Sequence, residues 1–298
     1  MISIFFHSIR YLFFAILIFL AWRAWRTRRR VWIVLSVIAW GATILGIYQG
    51  IATPTVNEIK ISYAKLPDEL NGYRIVQISD IHINALARRW RTEAIVERVN
   101  ALKPDLICVT GDLVDGKAEK RRAAIEPLRN LRAKDGVYYV AGNHEFYGER
   151  AKWRKIYEEW GMKFLANECV FPRSSLALGG VNDIVAHRCG EAMPCIEETF
   201  LAATNNEFRI LLEHRPINAR ENIKRYDIDL QLSGHTHGGI VPVFDLLVAK
   251  LNAGFVKGLY QIGDGYLYVS PGSGQWDGFP IRLFNASEIT VITLSTLD

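Results

Sequence analysis

Hydrophobic positions fall into three successive patterns: long unbroken apolar runs, then short apolar runs ending in polar residues, then shorter alternating runs. The first pattern covers Ile2 to Trp22 and Val31 to Ile51. The second of these runs has 21 residues without a charge, matching the roughly 20 that a helix needs to cross a bilayer. The first contains His7 and Arg10, and its uninterrupted part, Tyr11 to Trp22, is 12 residues long. Spanning therefore requires Arg10 to reach an interface or the helix to continue past Trp22. A cleaved signal peptide is the rival for this first run, but no small-residue cleavage site separates it from the second. The pair predicts a helical hairpin over residues 1–52 that anchors the chain in a membrane, with one further domain over 53–298.

Beyond Pro54, Glu58 to Tyr63 alternates as an edge strand does. Arg74 to Ser79 reads as a buried strand ending in Asp80-Ile81-His82, and Ala94 to Leu102 as a helix closed by Pro104. The strand Asp105 to Thr110 runs into Gly111-Asp112, followed by a charged helix over Ala118 to Arg132. Val137 to Val140 then leads into Gly142-Asn143-His144-Glu145. Lys163 to Leu165, Cys169 to Phe171 and Ser175 to Leu178 read as short antiparallel strands, and Pro194 to Ala203 as a helix. Phe208 to Glu213 delivers His214, and Ile228 to Leu232 leads into Gly234-His235-Thr236-His237-Gly238-Gly239. Leu267 to Ser270, Ile281 to Phe284 and Ile289 to Leu294 suggest a second sheet packed on the first. Strand, polar residue, helix, strand is the rhythm of an α/β protein whose chemistry gathers at strand carboxyl ends. The apolar stretch Ile240 to Tyr260 predicts either an extra buried helix or a lid that receives an acyl chain.

Charge sharpens the membrane reading. The formal net charge is +5, yet six arginines precede residue 52, where there is no Asp or Glu. Removing those six from the 36 basic residues leaves 30 against 31 acidic ones, which argues against a nucleic-acid-binding surface. Arg23 to Arg30 holds five arginines in eight residues, and the positive-inside rule keeps such a loop in the cytoplasm. Everything after Ile51 then lies on the exoplasmic side of the inner membrane. Arg88, Arg89 and Arg91 could meet an anionic substrate or form a solvated basic face near lipid. Cys108 reads as an inert buried thiol, and Cys189 and Cys195 could pair in an oxidising space. With no Cys-x-x-Cys, a Cys-rich zinc site is not expected.

Asp80, His82, Asp112, Asn143, His214, His235 and His237 all follow strand-like runs. Carboxylate, imidazole and carboxamide oxygen together suit two divalent metal ions of the Mn²⁺, Fe²⁺ or Zn²⁺ type. Seven donors are too many for one ion and about right for two that share a carboxylate. Glycines around the His-x-His pair let the backbone turn sharply enough to aim both rings into one cleft.

Asp80-x-His82, Gly111-Asp112, Gly142-Asn143-His144-Glu145, His214 and Gly234-His235-x-His237 resemble, in the expected order, the motif set of the calcineurin-like metallophosphoesterase superfamily. The resemblance covers roughly residues 56–298. It is nearest to a bacterial membrane-anchored or exported group, partly through Ser270-Pro271-Gly272-Ser273-Gly274 and Pro280-Ile281-Arg282. Glu213-His214-Arg215-Pro216 departs from the pattern, in which an apolar residue often precedes the histidine. The resemblance implies a four-layer α/β/β/α sandwich of two mixed sheets. It implies one metal on Asp80, His82, Asp112 and His237, and a second on Asp112, Asn143, His214 and His235, with Asp112 bridging. His144 would be the catalytic residue that serves the leaving-group oxygen, with Asp115 and Glu145 as candidate supports.

The function so implied is hydrolysis of phosphomonoesters or phosphodiesters, and an anchor near lipid favours a lipid-linked substrate. The alternatives are a nucleotide-linked lipid of the UDP-diacylglucosamine type, disfavoured by the inferred orientation, a catalytically silent binding protein, and a nuclease.

Overall fold

Two six-stranded mixed sheets stack face to face in the computed structural model, which describes residues 2–84, 89–204, 206–276, 278 and 281–297, with 2–10 as backbone alone. The first sheet contains β1 (Thr55–Tyr63), β2 (Arg74–Ile78), β3 (Leu106–Val109), β4 (Val137–Tyr139), β5 (Met162–Phe164) and β12 (Glu288–Thr296). Their order is β1-β12-β2-β3-β4-β5, with β12 and β2 antiparallel and the other pairs parallel. The second contains β6 (Glu168–Arg173), β7 (Leu176–Gly180), β8 (Phe208–Leu212), β9 (Leu230–Ser233), β10 (Gly258–Ile262) and β11 (Gly265–Val269). Here the order is β10-β11-β9-β8-β7-β6, parallel through β11, β9, β8 and β7 with an antiparallel strand at each edge.

Nine α-helices accompany the strands among the described residues: α1 (Ile2–Thr27), α2 (Arg30–Ile51), α3 (Arg89–Ala101), α4 (Ala118–Ile125), α5 (Asn143–Tyr147), α6 (Arg150–Glu159), α7 (Ile196–Thr199), α8 (Ala219–Tyr226) and α9 (Phe244–Leu251). Strand periodicity explains the layering, because successive side chains point to opposite faces. On β3, Ile107 and Val109 face a helix-side core with Ile95, Ile125, Trp153 and Tyr157. Its alternate residues, Leu106 and Cys108, face the other sheet and meet Leu178, Ile210 and Leu230. A third core joins the outer face of the second sheet to α7 and α8 through Ile196, Ala219 and Ile223. Each fully buried aliphatic side chain contributes about 1.5–3 kcal/mol, so the inter-sheet core is what fixes one sheet's strand ends against the other's. The result is the expected α/β/β/α sandwich.

Several expectations are corrected. β5 pairs parallel with β4 in the first sheet, not in an antiparallel set, and β12 inserts between β1 and β2 instead of joining the second sheet. Residues 281–284 are not a strand: Leu283 N–H donates to Ile240 O, Phe284 N–H to Gln49 Oε1, and Phe284 sits at φ 56°. Their apolar character serves a contact with the amino-terminal helices. The stretch from Ile240 to Tyr260 holds an eight-residue helix, α9, but none of its residues is buried, and β10 begins where a loop was expected. Arg91 faces no substrate, since it is buried with Nη1 donating to Gly50 O, while exposed Arg89 pairs with Glu93 and Glu126. Arg88 and Pro280 lie outside the described residues. Cys108, Cys169, Cys189 and Cys195 are all free thiols.

Among the described residues, α2 is the helix long and apolar enough to cross a membrane. α1 runs beyond Trp22 to Thr27, turns at Arg28 and Arg29, and packs along α2. The last turn of α2 would leave carbonyls unpaired; Arg91 satisfies that of Gly50, Ala52 N–H continues the helical ladder, and Arg282 bonds the helix one turn earlier. Arg282 N–H donates to Gly46 O at 2.9 Å, Arg91 to Gly50 O at 2.8 Å, and Ala52 N–H to Tyr48 O at 2.8 Å. Gly46 permits this approach, because a Cβ there would lie 2.4 Å from Ile281 Cγ2. Gly46→Leu should therefore undock α2. Overpacking of about 1–3 kcal/mol corresponds to roughly a 5- to 150-fold rise in local opening. Limited proteolysis of the full chain at residues 52–54 reads that rise, and an unchanged cleavage rate would contradict the docking.

Candidate metal centre

The seven candidate donors come from five strand ends: Asp80 and His82 beyond β2, Asp112 beyond β3, Asn143 beyond β4, His214 beyond β8, and His235 and His237 beyond β9. The two sheets therefore contribute to one edge of the sandwich. Five of the seven, Asp80, His82, Asp112, His235 and His237, have φ between 47° and 70°. Non-glycine residues rarely adopt this region, and such strain collects where a side chain must be aimed. Gly142 is fixed by proximity instead, since a Cβ there would fall 2.2 Å from Asp112 Oδ1.

The donors form two groups joined at Asp112. Ligand atoms of Asp80, His82 and His237 lie within 4.8 Å of one another, as do those of Asp112, His214 and His235. His82 Nε2 faces His237 Nε2 at 3.1 Å and lies 3.6 Å from Asp112 Oδ2. On the other side, His214 Nε2 is 3.2 Å from the same Asp112 oxygen. That distance is short, yet the geometry gives no hydrogen bond, and His214 Nε2 and Asn143 Oδ1 are both buried without a hydrogen-bond partner. His214 Nε2 is still ion-paired with Asp112, whereas Asn143 Oδ1 has no partner; an unpaired buried polar atom costs about 1–3 kcal/mol, and one beside the turn that bonds Asp112 fits a site built for cations. Of the seven histidines in the chain, five lie here: His82, His144, His214, His235 and His237.

A surrounding set of groups orients these donors. His214 Nδ1 lies 2.7 Å from Thr110 O, which turns Nε2 inward. Asp115 contacts His82 Nδ1 at 3.1 Å and His144 Nδ1 at 2.6 Å. Glu145 accepts from the backbone N–H groups of Asp112, Leu113 and Gly142, tying the second motif to the third. Asp80 accepts from His235 N–H, and Asp112 Oδ1 accepts from His144 N–H at 2.8 Å. Arg282, fully buried, reaches His237 Nδ1 at 3.3 Å. Arg215, on the opposite flank, bonds Asp183 and lies 3.0 Å from His235 Nε2.

Electrostatics divides the imidazoles. Burial, with Arg282 and His82 nearby, pushes His237 down to about 3, and burial with Arg215 and His214 holds His235 well below its ordinary value. Both are thus neutral, the form that binds metal. Burial opposes charge on His214, but Asp112 outweighs it and pushes the ring up to about 10. Burial likewise raises Asp112, and the imidazoles of His214 and His144 overcome it, keeping the carboxylate well below the usual range. Glu145 goes the other way, raised to about 7 by burial and by Asp112.

His144 stands slightly apart, edge-on to His82 with ring centroids 4.6 Å apart. Tyr147 and Trp276 flank it at 5.5 and 6.1 Å, and neither was singled out from the sequence. Nothing local marked Trp276, which arrives from the chain's last loop.

The profile of the calcineurin-like phosphoesterase family matches residues 73–239. A Helicobacter pylori protein described as an uncharacterized metallophosphoesterase is 37% identical over 84% of this chain and 66% of its own length. A Bos taurus transmembrane protein with metallophosphoesterase domain is 34% identical over 85% of this chain and 60% of its own. The chain thus spans somewhat less than two thirds of these two relatives. An Aquifex aeolicus metallophosphoesterase is 31% identical over 85% of this chain and 97% of its own length. With the family profile covering more than half of the chain, and its motifs converging on one acid, amide and imidazole cluster, the chain belongs to the calcineurin-like phosphoesterases, metal-dependent hydrolases of phosphate esters.

Proposed function

We propose that this chain is a membrane-anchored dinuclear phosphoesterase acting on phosphate esters carried by lipids at the bilayer surface. The observation that supports it most is the reach of Arg282. Its backbone N–H bonds Gly46 O in α2, and its guanidinium lies 3.3 Å from the candidate ligand His237. One residue separates the apolar helix from the candidate metal centre.

In this reading Asp80, His82, Asp112 and His237 hold one cation, and Asp112, Asn143, His214 and His235 the other. Bound dications supply Lewis-acid clamping of phosphoryl oxygens and a nucleophile at neutral pH. The protein's own residues set the geometry: Asp115 and Thr110 fix ring orientation, Glu145 locks the turn that carries Asn143 and His144, and His144 serves the leaving-group oxygen. Arg215 supplies positive charge on the His235 flank, where it can meet a phosphoryl oxygen of a bound ester.

The positive-inside rule places Arg23 to Arg30 in the cytoplasm and the centre on the exoplasmic side. Arg23 over the Trp32 ring at 4.9 Å and Arg26 over Trp22 at 5.2 Å give that turn the aromatic and cationic composition of a membrane interface. The bovine relative, named a transmembrane protein, supports anchoring. The test uses the full chain in liposomes with Mn²⁺, offered phosphoester lipids and a water-soluble aryl phosphoester. Expected is loss of both activities on chelation and a kcat/KM at least about tenfold higher for a lipid ester, about 1.4 kcal/mol. Efficient turnover of the soluble ester alone would remove the lipid, and metal-replete protein inert to every ester would make this a binding protein.

A further inference from the structure

We propose that α9 and Phe284 form a second membrane contact, an apolar seat immersed in the headgroup and upper acyl region of the leaflet opposite the arginine turn. This rests on the membrane-anchored reading and adds to it a contact made by the phosphoesterase fold itself. Val243 at the cap of α9, Leu246 and Leu251 within it, and Phe284 are exposed at 76%, 71%, 57% and 73%. On a surface facing water, a cluster of large side chains like this is an aggregation liability.

Its position decides what covers it. Ile240 and Val241, which lead into α9, pack with Ile281 and with Phe13 of α1. Leu283 N–H donates to Ile240 O, Arg282 N–H to Gly46 O, and Phe284 N–H to Gln49 Oε1. The start of α9 and the segment bearing Phe284 are thus pinned to each other and to both amino-terminal helices. Depth along α2 follows from helix rise. Gly46 lies 16 residues beyond Arg30, about 24 Å at 1.5 Å per residue. The hydrocarbon core is about 30 Å thick. With the arginines held at one interface, Gly46 stops roughly 6 Å short of the other, and tilting of α2 sinks it further. Ile281 and Arg282, in contact with Gly46, must then sit at the acyl boundary, and the exposed side chains beside them meet lipid. That depth is within the 5–10 Å typical of interfacial helices.

Lys250 in the last turn of α9 and Asp245 in its first keep polar groups for the headgroup layer. The seat also bears on the site, because α9 packs on the turn His237–Gly239 that carries a candidate ligand. It would hold the rim of the cleft at headgroup level, so that a phosphoester enters from within the leaflet.

The test places a genetically encoded dansyl side chain at Leu246, and separately at Phe284, in the full chain in lipid nanodiscs. Nitroxide quenchers sit at the headgroup, at a shallow acyl carbon and at a deep acyl carbon, and iodide probes water. Reference labels go at Ile38, exposed in the middle of α2, and at Leu201, exposed beside α7. Expected is greatest loss of emission with the shallow nitroxide for both seat labels, with the deep nitroxide at Ile38, and with iodide alone at Leu201. Seat labels quenched by iodide while Ile38 stays deep overturn the seat and leave the anchor standing. Iodide quenching at Ile38 overturns the anchor itself and the seat with it.

Discussion

Asp112→Ala is expected to lower kcat/KM for every phosphoester by a factor on the order of 10³ or more, about 4 kcal/mol of transition-state stabilisation. It should also lower the metal content of the full chain from two ions towards one or none. The reason is that one carboxylate serves both donor groups, with Oδ2 3.6 Å from His82 Nε2 and 3.2 Å from His214 Nε2. The other oxygen accepts from His144 N–H, so alanine also frees the turn that carries Asn143. A packing effect must be separated from a charge effect, because Asp112 has φ 54° and alanine tolerates that region poorly. Asparagine tolerates it better and keeps an acceptor for His144 N–H, yet removes the charge. Asp112→Asn should therefore fold as the natural chain does and still lose metal, as measured by elemental analysis beside the kinetics. Two ions retained in both variants, with activity within tenfold of the parent, would refute a shared carboxylate.

The candidate site was legible because its residues stand at the ends of short apolar runs, a local pattern that needs no knowledge of which strands pair. The same locality explains the errors. Ile281 to Phe284 and Ile289 to Leu294 look alike as apolar runs, but one packs on α2 and the other enters the first sheet between β1 and β2. Sheet membership is set by partners far away in sequence, which no window contains. Arg91 misled for a related reason. An arginine near a candidate site suggests an anion, but Arg91 instead satisfies the open carbonyl of Gly50 at the end of α2. Asp115 and Glu145 could be named as supports from proximity to the motifs, whereas their bonding to His82, His144 and three backbone N–H groups required the fold. α9 was legible as apolar and not as exposed, since composition records what a surface is made of and not what faces it.

His144→Ala should leave both metals in place while lowering kcat by about 10² to 10⁴, the range for removing a general acid. Its ring is half-buried at the mouth of the centre, with Asp115 Oδ1 2.6 Å from Nδ1 and the aromatic rings of Tyr147 and Trp276 alongside. A group so placed can meet the departing oxygen without holding a cation. Its contribution then depends on how much proton that oxygen needs. The defect should shrink towards parity for esters whose alcohol is a good leaving group, such as a nitrophenyl ester, and be largest for alkyl esters. Asp115→Asn should lower activity by about 10- to 100-fold through both rings it holds, His144 at 2.6 Å and the candidate ligand His82 at 3.1 Å. A rival role is present in the same geometry, since ligand atoms of His144, His82 and Asp112 also lie within 4.8 Å of one another. Metal content therefore decides between them. If His144→Ala loses an ion, and its defect is the same for good and poor leaving groups, His144 is a ligand and the acid must be sought elsewhere.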